Sequence, residues 1–273
     1  MTLSKHLVEA AHPNLIFSSV GDHGNLPRWL HGRRNFDLWV TYYGETSGRF
    51  RDCADYYNER RGSKFQNLLF AYRTWPELLD RYSAILVMDD DLLISGSALS
   101  SLFDIRDRYD LWALQPAFDP HGKISWPITR VNPYTRLRYT NFIEMACPLF
   151  RKDKLDAFMA VYDPELVGWG CDWWFLDVMG EDLRDRVAVV DTITCLNPHD
   201  SAKGGREIDR LSPTSERVAT WKRVKERYGI RSEERGIREY RRIRRPFVVR
   251  QLRRALATCG SLRWWLTRRS RAT

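Results

Sequence analysis

The chain has 273 residues, 43% hydrophobic, 13% aromatic and 29% charged, a composition that excludes a disordered or fibrous chain. No stretch reaches the roughly 18 to 20 uncharged apolar residues of a membrane-spanning helix, residues 1–9 lack the apolar core of a signal peptide, and five scattered cysteines suit neither a disulfide framework nor a zinc site. The net charge of +9 sits entirely at one end: residues 231–273 hold 14 Arg against 3 Glu, while residues 1–230 hold 30 Lys and Arg against 32 Asp and Glu.

The expected layout is therefore a domain over residues 1–230 and an Arg-rich, amphipathic helical tail over residues 231–273. Within the domain, residues 14–20 and 36–42 are apolar, β-rich runs that end at glycine, as strands of a buried sheet do. Residues 65–82 have helical spacing, with Pro76 breaking or restarting the helix. A short apolar strand at 84–88 stops at three aspartates; a helix at 97–106 and a strand at 110–117 follow. This alternation predicts an α/β fold with a mainly parallel sheet flanked by helices. Beyond it the pattern predicts a strand at 142–150, a helix at 153–162, a helix from Trp173 and a strand at 187–191.

The aspartates Asp89, Asp90 and Asp91 are the sharpest chemical feature. Ligands of open α/β sheets bind beyond the carboxyl ends of the strands, where this triplet would lie. Adjacent carboxylates repel unless a cation or donor groups compensate them, and Mn²⁺ or Mg²⁺ bridging to a diphosphate would do so. A solvated acidic turn is the structural alternative. Downstream, Gly168-Trp169-Gly170-Cys171-Asp172 combines glycines that let a backbone approach a ligand, an indole on which a sugar can stack, and a carboxylate able to act as base. The alternative there is a helix cap with core tryptophans. A third element, Asn197-Pro198-His199-Asp200, precedes Lys203-Gly204-Gly205-Arg206, whose cations could neutralise a leaving diphosphate. Weaker candidates are Ser18, Ser19 and Asp22 after the first strand, Lys64 with Asn67 before the triplet, Glu144 as a second acid, and Trp126 and Arg130 as acceptor contacts.

Residues 88–92 resemble the Asp-x-Asp motif of GT-A-fold glycosyltransferases, which use a nucleotide-sugar donor and commonly a divalent metal. The Gly/Trp loop is similar to that of inverting galactosyltransferase-type members, so that the resemblance covers residues 14–205, and the chain also looks like a little-characterised plant and bacterial family grouped with glycosyltransferases. The resemblance implies Asp89, Asp91 and His199 as metal ligands for Mn²⁺ or Mg²⁺. It further implies Ser18, Asp22, Lys64, Asn67, Asp89, Asp90 and Lys203 at the nucleotide-sugar donor, and Asp172, with Glu144 second, as catalytic acid or base. Cys171 stands where those relatives often carry a further acid, leaving Asp172 as the one base in the loop.

Two other functions are weighed against this one. A sugar nucleotidyltransferase would open with a Gly-rich basic loop, absent from residues 18–24, and a nucleic-acid-binding protein would spread basic and aromatic residues over the body, which is slightly acidic. In the tail, Val248, Leu252, Ala255, Cys259, Leu262 and Leu266 recur at spacings of four and three, with arginines mostly off that stripe and Trp264 and Trp265 beside it. An amphipathic helix lying on an anionic membrane is one expectation; docking on the domain is the other, and nucleic acid is disfavoured. The expected acceptor is a glycan or glycolipid, and the expected location is cytoplasmic, peripheral on the inner face of the membrane.

Overall fold

The computed structural model describes residues 3–203 and 207–246, leaving out the side chains of Lys203 and Glu207. Nine strands form one mixed sheet: β1 (Asn14–Val20), β2 (Asp37–Tyr42), β3 (Tyr56–Glu59), β4 (Ala84–Val87), β5 (Ala113–Phe118), β6 (Thr135–Thr140), β7 (Leu149–Arg151), β8 (Val187–Cys195) and β9 (Glu239–Arg244). Their order across the sheet is β3-β2-β1-β4-β7-β5-β8-β6-β9. β1 to β4 pair in parallel with their neighbours among themselves, and so do β5 and β8; β7 runs antiparallel between β4 and β5, and β6 and β9 add an antiparallel flank. The helices are α1 (Leu26–Trp29), α2 (Lys64–Thr74), α3 (Pro76–Leu79), α4 (Gly96–Tyr109), α5 (Lys152–Val161), α6 (Cys171–Val178), α7 (Glu207–Leu211) and α8 (Thr214–Tyr228).

Every residue of β1, β2 and β4 is buried, because helices cover both faces of the parallel half. On one face Phe65, Leu68, Phe158 and Trp174 from α2, α5 and α6 pack on Phe17 and Ile85; on the other, Leu99, Leu102 and Phe103 of α4 pack on Ile16 and Leu86. Pro76 does interrupt the expected long helix, separating α2 from α3.

Three expectations change. The strand expected at 142–150 is only β7: Val87 and Asp89 N–H still donate to the Pro148 and Ala146 carbonyls, but residues 142–148 do not form a regular strand. β6 escapes the apolar pattern because it carries a buried Arg138, whose Nε and Nη2 donate to the Asp191 carboxylate at 2.8 and 2.9 Å. The helical tail does not begin at residue 231: Ile230 is buried, Ser232–Arg235 form a single 3₁₀ turn, and residues 239–244 are strand β9, paired to β6. Arg241, Arg242 and Arg244 suit an edge strand, where charge discourages pairing with other chains. The stripe predicted from Val248 onward lies outside the described residues. Among the described residues the cysteines are free, and no helix is long and apolar enough to cross a membrane.

Candidate functional site

The aspartate triplet begins where β4 runs out of partners and is pinned from both sides. Met88 N–H donates to the Phe17 carbonyl on β1 (3.1 Å), Ser18 Oγ donates to the Met88 carbonyl (2.9 Å), and Asp89 N–H donates to the Ala146 carbonyl (2.9 Å). Past the strand the side chains diverge. Asp89 stays half-exposed and accepts from Lys64 Nζ at 2.8 Å; that ammonium, itself buried at the start of α2, also donates to the Met145 carbonyl at 2.6 Å and the Ala146 carbonyl at 3.3 Å. Asp90 turns back to accept from Gly21 N–H at 2.7 Å and Tyr43 OH at 3.3 Å. Burial pushes Asp90 up to about 7, with the charges of Asp91 and Asp89 adding to it while the Gly21 hydrogen bond opposes it. Asn25 ties the turn down: its N–H donates to the Asp90 carbonyl and its Nδ2 to the Asp91 carbonyl, both at 2.8 Å.

The other donor-side candidates are placed around the same strand ends, with most of their polar atoms engaged by protein. Asn67 is buried, donating to Ser19 Oγ at 2.8 Å and accepting from Arg60. Ser18 spends its hydroxyl on β4. Asp22 accepts from Tyr42 OH at 2.5 Å and Glu45 N–H at 2.9 Å, and these bonds hold its carboxyl at about 2, fully ionised.

The Gly/Trp loop arrives from the opposite side. Gly168 and Gly170 have φ of +78° and +87°, in the left-handed region, and a Cβ on Gly170 would lie 2.2 Å from the Trp221 ring. Glycine is thus required twice, for φ and for contact with α8. The turn they make opens α6, with Asp172 buried in its first turn. Burial pushes the Asp172 carboxyl up to about 7, opposed by the hydrogen bond from Trp173 N–H at 3.0 Å. Of the three tryptophans, Trp173 and Trp174 belong to the core, and Trp169 is 43% exposed, leaving its indole the face open to a ligand. Trp126 packs edge-on against Trp173, 5.7 Å between centroids, and Phe142 lies 5.0 Å from both.

Glu144 reaches this space from the irregular segment before β7. Its N–H donates to Gln115 Oε1 at 2.6 Å, and its carboxylate accepts from Thr129 Oγ1 at a long 3.4 Å. Burial pushes it up to about 8, with the charge of Asp172 next and that of Asp89 smaller; Thr129 and Lys123 oppose. Glu144 thus feels the charge of both Asp172 and Asp89.

The third element is clamped to the first. Leu93 and Leu196 exchange backbone hydrogen bonds of 2.9 and 3.1 Å, so the segment after β8 starts two residues past Asp91 in space. Lys123 holds that segment, donating by N–H to the Asn197 carbonyl at 2.7 Å and by Nζ to Asp200 at 2.7 Å. His199 is exposed on it. Among the described residues no three His, Cys, Asp or Glu side chains are grouped to hold a metal by themselves. The Lys203 side chain and Gly204, Gly205 and Arg206 lie outside the described residues. Arg130 is exposed. Sequence reasoning missed Gln115, Thr129 and Lys123. Gln115 had a signal: a fully buried amide inside the apolar run of β5 needs polar partners.

Two solved structures share this architecture. A mycobacterial protein superimposes with a TM-score of 0.52 at 12% identity, over 81% of this chain and 76% of that one. Residues 1–349 of Staphylococcus aureus TarS superimpose with a TM-score of 0.50 at 9% identity, over 79% of this chain and 72% of that fragment. The fold is GT-A-like. Against the longer TarS structure the chain spans 43% of the length. No protein-family model and no curated protein matches the sequence.

Proposed function

We propose that the protein is a glycosyltransferase that moves a sugar from a nucleoside-diphosphate donor to a glycan or glycolipid hydroxyl. The observation that carries this is the placement of Asp89, tied through Lys64 and its own N–H to the Met145 and Ala146 carbonyls, next to Glu144 at one end of a GT-A-like sheet, with the buried carboxyls of Glu144 and Asp172 raised toward neutrality. TarS has been solved with UDP and with UDP-GlcNAc; at 9% identity its likeness concerns the fold, and the donor reading for this chain stands on its own residues.

In the reaction, Asp172 is the base. It ionises below Glu144, and a carboxylate near 7 is matched to removing a hydroxyl proton at neutral pH. Glu144, still protonated when Asp172 is charged, donates a hydrogen bond to a sugar hydroxyl. Trp169 gives the acceptor a stacking face. Lys64 fixes the Asp89 carboxylate against the 145–146 carbonyls, so that the oxygen not bound to Lys64 can orient the donor ribose or sugar.

The carboxylates fit Mn²⁺ or Mg²⁺ in the manner of these ions, which bind through one or two carboxylates plus substrate phosphates and need no cage of three protein ligands. Asp89 and Asp91 would hold such an ion together with the substrate phosphates, and it would stabilise charge on the departing diphosphate; His199, the further ligand that the resemblance implies, is not grouped with them into a three-ligand site among the described residues. Incubation of the full chain with a panel of UDP- and GDP-sugars in Mn²⁺ tests the reading without knowledge of the acceptor: slow donor hydrolysis is expected, and none with any donor would overturn it.

A further inference from the structure

The donor and acceptor machinery leaves one cavity unexplained. Of about 250 Å³, it lies between α4, β6, β8 and the point where the chain leaves β9. Its rim carries three guanidinium groups, from Arg108 in the last turn of α4, Arg136 on β6 and Arg245 just past β9, while the buried Leu137 and Val190 form an apolar floor. Among the described residues no carboxylate lines it, and none of its lining residues belongs to the site described above.

Asp191 on β8, whose backbone carbonyl accepts from Arg245, has its carboxylate engaged by Arg138. Arg245 is oriented by its own bonds, donating from Nε to the Thr135 carbonyl at 3.0 Å and from Nη2 to the Asp191 carbonyl at 2.9 Å. Arg108 and Arg136 are exposed and form no ion pair among the described residues. The C-terminal dipole of α4 favours the charge of Arg108 but does nothing for Arg136 and Arg245.

Three cations round one cavity repel each other, and an anion relieves that repulsion. Guanidinium groups match phosphate oxygens in paired hydrogen bonds, and Tyr109 and Thr192 add hydroxyl donors. The apolar floor favours a phosphate ester with an apolar substituent over a fully hydrated ion. Pro246, which lines the cavity, leads into 27 residues that hold seven Arg and no Asp or Glu, so positive charge continues in the sequence from the rim.

We infer that this cavity receives the phosphate of an anionic phospholipid and holds the protein against a membrane surface. The inference is independent of the glycosyl-transfer reading, and its test uses no sugar donor. Residues 247–273 can attract anionic vesicles by charge alone, so the cavity is read by comparing two variants of the full chain with equal charge loss: Arg108→Gln with Arg136→Gln, and Arg268→Gln with Arg269→Gln. Each is titrated with monomeric dihexanoyl-phosphatidylglycerol by NMR and sedimented with phosphatidylglycerol or phosphatidylcholine vesicles. The wild type should bind the soluble lipid at one saturable site and ignore phosphatidylcholine. The cavity variant should lose tenfold or more, the tail variant less than threefold. Both cavity arginines are exposed, so its melting temperature should match the wild type; should the pair fail to fold, Arg136→Gln alone is expected to lose at least threefold. Equal losses in the two variants would overturn the site in favour of diffuse charge. Displacement of the lipid by inorganic phosphate at equal concentration would overturn the lipid source.

Discussion

The acids after β4 and the acids facing Gln115 and α6 sit in the same site but have their charge met in different ways. In the first group donors surround the carboxylates: Lys64 on Asp89, Gly21 and Tyr43 on Asp90, with Asn25 holding the backbone. In the second, Glu144 and Asp172 are buried with one weak or local hydrogen bond each and are raised to about 8 and about 7. Donors and a cation orient the carboxylates of the first group, although burial still raises Asp90 to about 7; in the second group burial leaves a raised carboxyl with few bonds, able to exchange a proton. The first group is therefore suited to binding a donor and the second to moving a proton, and each prediction below separates the two.

The largest effect is expected from Asp172→Asn. Removing a general base lowers turnover by roughly 10²-fold to 10⁴-fold, and because Asp172 is not in the donor group, nucleotide affinity should be nearly unchanged. Steady-state rates beside calorimetric donor affinity check this. A matching fall in donor affinity would erase the division between the groups.

A smaller effect, visible mainly as pH dependence, is expected from Glu144→Gln. The wild-type kcat/KM should rise as Asp172 ionises through about 7 and fall as Glu144 loses its proton above about 8. Glutamine keeps a donor at all pH values, so the variant should lose the alkaline fall and keep most of its rate near pH 7. Stability follows the same linkage with its own sign. The folded Glu144 binds its proton more tightly than the unfolded one, so stability is full at low pH and is lost as pH rises toward about 8. The variant should thus melt above the wild type at pH 9 and close to it at pH 4, by calorimetry at the two pH values.

Much of this was legible in the sequence where signals are local. β1, β2 and β4 are continuous apolar runs because both faces are covered, and the triplet, the Gly/Trp loop and His199 each stand out by residue type in a short window. What failed needed contacts between distant segments. β6 hides behind Arg138, whose polar head is buried only because Asp191, 53 residues away, meets it. Residues 142–148 read as strand because they are apolar, yet they form no regular strand and carry Glu144 onto the Gln115 side chain. β9 read as tail because its charge resembles that of the residues beyond it. The pairing of Lys64 with Asp89, and of Glu144 with Asp172, has no signature in the order of residues along the chain.

The central claim is that the triplet end of the sheet binds a nucleoside diphosphate together with a divalent ion. Calorimetry of UDP and GDP on the full chain, with and without Mn²⁺, measures it directly, with Asp91→Asn as the companion variant. One nucleotide should bind the wild type at least tenfold more tightly with Mn²⁺ than without it, and the variant should lose that difference while melting at the wild-type temperature. Equal affinity in the wild type with and without the ion, or no binding of either nucleotide, would contradict it.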